Sequence, residues 1–143
     1  MAVRTEHISL SSHGNAHMID ITGEVRRAVA ATGLADGIAT IFTPSATSAL
    51  TTIEYEPGAV ADFTRLFDEI AAQARDYEHN RRLGDGNGHS HVRAALLGPS
   101  LTIPVVNGKL TLGIWQEILF VDFDNRARER TLVVQMLGEP PAA

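Results

Sequence analysis

Apolar residues recur along the chain at two different spacings, and the switches between them mark out its elements. Val3 to Leu10 and Ala16 to Ile21 alternate apolar and polar positions around the turn S-S-H-G-N, which predicts two strands. A helix is expected over roughly Gly23–Thr32, with Thr22 as N-cap, Val25, Ala28 and Val29 on one face and Gly33 as the stop. Gly37 to Phe42 and Ser48 to Tyr55 read as strands, the second rich in β-branched residues, joined by the polar loop T-P-S-A-T. Pro57 suits the first turn of the longest helix, which runs to about Arg75. Its stripe of Val60, Phe63, Phe67, Ile70, Ala71 and Ala74 has helical spacing and faces the core. A short helix after His91 ends at Gly98-Pro99. Leu101 to Val106 is extended, and Asn107-Gly108 is a hairpin signal. Leu110 to Phe123 is the longest strand pattern in the chain, and Asp124-Asn125 turns it into a last strand, Arg128 to Leu137. The order ββαββααβββ predicts an α+β fold, one domain over residues 1–143, with a mainly antiparallel sheet covered by helices on one face.

Composition narrows the function by exclusion. A net charge of −5 without a Lys/Arg cluster argues against a nucleic-acid partner. The absence of cysteine removes disulfides, thiolate metal sites and cysteine nucleophiles. No apolar segment is long enough for a membrane span, and M-A-V-R-T-E-H carries no signal-like apolar region, so a cytoplasmic protein is expected.

The chemistry concentrates in Asn80 to Pro99. Gly84, Gly86 and Gly88 free the backbone for positive φ or close approach, and three of the six histidines fall between His79 and His91. If H-S-H is extended, His89 and His91 share a face and reach one metal ion; inside a helix they diverge by about 200°. Together with His79 they would be three nitrogens with an open fourth position, the ligand set of a catalytic zinc site. On the long predicted strand, Leu110, Leu112, Ile114, Ile118 and Phe120 share a face that Gln116 interrupts, so this amide needs hydrogen-bonding neighbours or a ligand. Trp115 lies on the other face with Leu119, Val121 and Phe123, more apolar surface than a solvated face should carry. Glu54 ends the T-T-I-E-Y strand, where a carboxylate can act as general base or support a histidine ligand. Arg93 can grip a phosphate through two parallel hydrogen bonds.

The motifs N-G-H-S-H-V-R-A-A-L-L-G-P-S, L-T-L-G-I-W-Q-E-I, Y-E-H-N and T-T-I-E-Y-E-P-G resemble those of the YjbQ-like family, often labelled secondary thiamine-phosphate synthase. The resemblance spans nearly the whole chain. It implies a compact α+β fold, a homotrimer and a pocket between subunits that contains the histidines. His79, His89 and His91 match the family's metal-binding or catalytic histidines, and Glu54 matches its acidic position. One departure is Ser45, which stands in T-P-S-A-T where many members carry a histidine.

Two functional readings follow. In the first, the protein is an enzyme that joins a pyrimidine pyrophosphate to a thiazole phosphate, or performs another metal-assisted reaction on a phosphorylated small molecule. Glu54 and His91 are then catalytic, Ser45, Asn87, Arg93 and Gln116 bind substrate, and His79, His89 and His91 hold a divalent metal, expected to be zinc. In the second, it is a non-catalytic metal or small-molecule binding protein. Turnover with a panel of phosphorylated metabolites separates the two.

Overall fold

A computed structural model gives the structure of residues 1–143. Two antiparallel sheets arise from the alternating segments. The larger pairs β1 (Ala2–Ser12), β8 (Arg128–Glu139), β3 (Asp36–Phe42), β5 (Ser100–Val106) and β6 (Lys109–Leu110), in that spatial order. The smaller has β7 (Glu117–Asp122) between β2 (His17–Asp20) and β4 (Ser48–Ile53). Four helices complete the fold: α1 (Thr22–Ala31), α2 (Pro57–Ile70), α3 (Glu78–Leu83) and α4 (Gly88–Leu97). The α+β class and the antiparallel pairing agree with the sequence pattern.

Period-two alternation places the first core between the sheets. Ile8, Ala39, Ile41, Ile103, Leu132, Val134 and Met136 of the large sheet meet Leu50, Ile118 and Phe120 of the small one, with Val25 and Val29 of α1. The other face of the small sheet makes the second core: Met18, Ala49, Leu119, Val121 and Phe123 pack against Phe67 of α2 and Ala94 of α4. The molecule is therefore layered, large sheet against small sheet and α1, then small sheet against α2 and α4. No helix is long and apolar enough to cross a membrane.

Four expectations need correction. The run Leu110 to Phe123 is not one strand: it leaves the large sheet after Leu110, turns at residues 111–116 and enters the small sheet at Glu117. Gln116 is exposed at that turn and closes it, accepting from Gly113 N at 3.0 Å while its amide donates to Thr52 Oγ1 at 3.0 Å. Leu119, Val121 and Phe123 lie fully buried within the chain, so they supply no interface, and only Trp115 of that predicted face is open to solvent. Finally, α2 stops at Ile70, and a further short helix, α3, occupies what reads as loop and carries His79.

Candidate functional site

The H-x-H segment decides the site because of where α4 begins. The helix starts at Gly88, so His89 and His91 are both helical and point to different sides. His89 turns inward and is 2% exposed. Burial lowers its pKa and the Arg93 charge lowers it further, with Asp124 opposing. Gly88 permits this packing, because a Cβ there would come 2.6 Å from the Cβ of Tyr77.

His91 turns outward, into a groove of about 330 Å³ lined by Ser45, Ala46, Ser48, Ala94, Ala95 and Pro99. The His79 ring lies beside it, with 4.3 Å between ring centroids and a 40° tilt. Behind His79, Asp85 Oδ1 is 3.3 Å from Nδ1, off the line of a good hydrogen bond. The structure thus brings together His79, His91 and Ser45. It does not bring His89 to them, and no three His, Asp or Glu side chains converge in a metal-binding arrangement.

Asn87 and Arg93 are buried rather than facing the groove's solvent side. Asn87 Nδ2 donates to Asp124 Oδ1 at 3.3 Å, while Asn87 Oδ1 and His89 Nδ1 are buried without partners. Arg93 is 4% exposed; its Nε donates to Ala71 O at 2.9 Å and its guanidinium to Asp68 Oδ1 at 3.1 Å. It lies about 6 Å from the ring centres of Phe67 and Phe123. Arg93 therefore ties α4 to the end of α2 through Nε and one terminal nitrogen. Arg93→Ala is expected to lower stability by about 1–3 kcal/mol, the cost of leaving the Ala71 carbonyl unpaired, with ligand binding at the groove retained. A urea melt and a titration on the same variant check both halves.

Glu54 and Gln116 form a second, separate groove with Thr52, Ile53, Gly113, Ile114 and Trp115. Ser48 and Glu54 flank β4 at opposite ends, so the two grooves are roughly 20 Å apart along an extended strand. Within one chain Glu54 and His91 line different grooves.

Sequence reasoning missed the charged network that holds α4's start in place. Arg130 grips Asp122 through Nε at 2.8 Å and a terminal nitrogen at 3.0 Å, while Arg128 Nε donates to Asp124 Oδ2 at 2.9 Å. Burial raises the Asp124 pKa, but bonds from Asn125 N–H, Asn87 and Arg128 outweigh it and bring it down to about 2. The signal was present: Asp122 and Asp124 sit two apart, as do Arg128 and Arg130, which puts each pair on one side of its segment.

Two sheets, helices over the smaller one and a histidine-lined groove at the start of α4 define a small α+β protein with a surface site at a helix–strand junction. The family model described as UPF0047 protein YjbQ-like matches residues 6–139, and the chain belongs to that family. A UPF0047 protein from Archaeoglobus fulgidus is 36% identical over 126 residues, 88% of this chain and 96% of the relative. One from Methanothermobacter thermautotrophicus is 35% identical over 140 residues, 98% and 96% of the two chains. Among solved structures, a YbjQ-like protein of unknown function from Sulfolobus solfataricus superposes with a TM-score of 0.91 at 35% identity, covering 96% of this chain and 99% of that one.

Proposed function

We propose that this protein is an enzyme acting on a small phosphorylated metabolite, with the His79–His91 pair at the reacting end of its site. The observation that carries this reading is the pair itself: two imidazoles in ring contact, one of them lining a groove beside Ser45. Histidine is the side chain whose ordinary pKa lets it hold or release a proton near neutral pH. In this reading His91 exchanges a proton with the bound substrate, His79 stabilises the protonation state His91 needs, and the Ser45 hydroxyl donates to a phosphate oxygen. Joining a pyrimidine pyrophosphate to a thiazole phosphate belongs to this class and is the first reaction to assay.

A divalent ion fits here only in part. A catalytic zinc takes three protein ligands, and one chain offers two adjacent imidazoles with no third His, Asp or Glu converging with them in a metal-binding arrangement. Zinc or a similar ion held by His79 and His91 would take its remaining ligands from water, substrate or another copy, and would neutralise phosphate charge when bound. Turnover of a phosphorylated panel with and without zinc or manganese tests the proposal. His91→Ala should reduce the rate by about 10²-fold or more with the fold intact by circular dichroism. Undiminished turnover in that variant, or ligand binding with no turnover of any panel member, overturns it.

The working unit in this reading is an assembly of copies, and the homotrimer implied by the family resemblance is the form it takes. Support comes from the division of the site between two unlike patches. The His91 groove adjoins exposed Val92 and Leu96 on α4. The Glu54 groove carries Ile114, 85% exposed, and Trp115, 69% exposed, with the acidic Glu54. Unlike patches associate head to tail, and such contacts close into a ring when the rotation between copies closes. The contact would deliver Glu54 of one copy to His91 of the next.

A further inference from the structure

We propose that Asp85 is a positioning residue that fixes the His79 ring in the tautomer with hydrogen on Nδ1, leaving Nε2 as a free lone pair for the site. This rests on the reading of His79 and His91 as the reacting pair. Its basis is the construction of the loop between α3 and α4.

The chain ends α3 at Gly84, which has φ of 71° and donates its N–H to Asn80 O at 2.9 Å. Gly86 repeats the left-handed conformation at φ 72°. Two such residues flanking Asp85 fold the chain back on α3 in a way side-chain-bearing residues adopt only with strain. The loop is also held from outside. Asn125 Nδ2 donates to Asp85 O at 2.8 Å, and Gly88 N–H donates to Asn80 Oδ1 at 2.8 Å. A backbone tied at these points sets its one charged side chain beside the first turn of α3.

What meets Asp85 there is His79 Nδ1, at 3.3 Å. That nitrogen is buried and has no well-aligned hydrogen-bond partner in the chain. The distance is within reach and only the angle falls short, so a small rotation of the half-exposed carboxylate completes the bond. Asp85 is the acid that lies against this nitrogen, and a carboxylate can only accept, which requires the hydrogen to be on Nδ1. In the neutral imidazole the other nitrogen is then unprotonated, as a proton acceptor or metal ligand must be. A loop built from two left-handed glycines around an aspartate has a physical purpose under this assignment: it selects one nitrogen of His79 for chemistry.

The test reads the ring directly. In protein labelled with ¹⁵N at histidine, the ring-nitrogen shifts of His79 at pH 8 should report hydrogen on Nδ1. Asp85→Ala should move the ring toward the other tautomer, while Asp85→Asn, which keeps a carbonyl acceptor of the same shape, should preserve the original. Zinc titrated as a probe should bind about 10–100-fold more weakly to Asp85→Ala than to the unaltered chain. If Asp85→Ala does not fold, Gly84→Ala replaces it: its added Cβ meets nothing within 4 Å, so it strains only the turn that carries Asp85. Ring shifts unchanged in the folded variant overturn the proposal. Because the shifts need neither substrate nor metal, that failure is distinct from failure of the enzyme reading, which would leave the tautomer change intact.

Discussion

Arg130→Ala is expected to destabilise the fold by about 3–5 kcal/mol, because it leaves the Asp122 carboxylate buried with its cation gone. Asp122 has no solvent exposure, and both of its oxygens accept from Arg130, with only the Asp124 N–H as a further donor. Arg130 also donates to Thr47 Oγ1 at 2.9 Å, so the loop before β4 loosens with it. Urea denaturation measures the loss, and a value below about 1 kcal/mol would mean that Asp122 is solvated or neutral in the variant. The double variant Asp122→Asn/Arg130→Met should recover much of the stability by removing both charges together. Acid should act on the same network through Asp124. Its folded pKa, about 2, lies below its ordinary value of 3.8, so its contribution is fully present above that ordinary value and disappears as pH falls through about 2. The difference corresponds to about 2–3 kcal/mol. Asp124→Asn should flatten the fall in stability between about pH 4 and pH 2.

Mixing two interface variants is the second large expected effect. Ile114→Asp places a charge in the Trp115 loop, and Leu96→Asp places one beside the His91 groove. Each alone should sediment as a monomer, because each keeps one good patch with nothing to meet. Combined in equal amounts they should form a dimer, the sound α4 patch of the first chain seating the sound Trp115 loop of the second. Only unlike patches give this result; a patch that paired with itself would produce a homodimer from one variant alone. Trp115 is the only tryptophan, so its emission should shift to the blue when the dimer forms and return on dilution. A monomeric unaltered chain at micromolar concentration, or no dimer on mixing, removes the second copy from the site.

The strands of the large sheet were legible because one face of each is buried, which keeps the alternation strict through β3, β5 and β8. The Asn107-Gly108 turn was legible for a local reason, since both residues adopt positive φ. The segment after Leu110 was not. Leu112 and Ile114 continue the alternation through a turn that has left the sheet, and periodicity carries no information about which sheet the next strand joins. Gln116 looked like a polar flaw in a buried row for that reason. At H-x-H the spacing was equally compatible with strand and helix, and the start of α4 at a glycine, a poor helix former, settled which one. Arg93 illustrates a further limit. Its place on α4 was foreseen, but its direction depends on Phe67 and Phe123, from segments far away in the chain.

The rigid piece between the two grooves is β4, and it works as a ruler. Its six residues run from Ser48 to Ile53, paired through their full length with β7. Substitutions can reshape either end without disturbing the other. A single inserted or deleted residue cannot be absorbed, because it would swap inward and outward faces for everything beyond it and change the separation of the ends by about 3.3 Å. Redesign of this scaffold for a longer or shorter ligand should therefore vary the loop at 111–116 and the α4 groove, and leave the length of β4 alone.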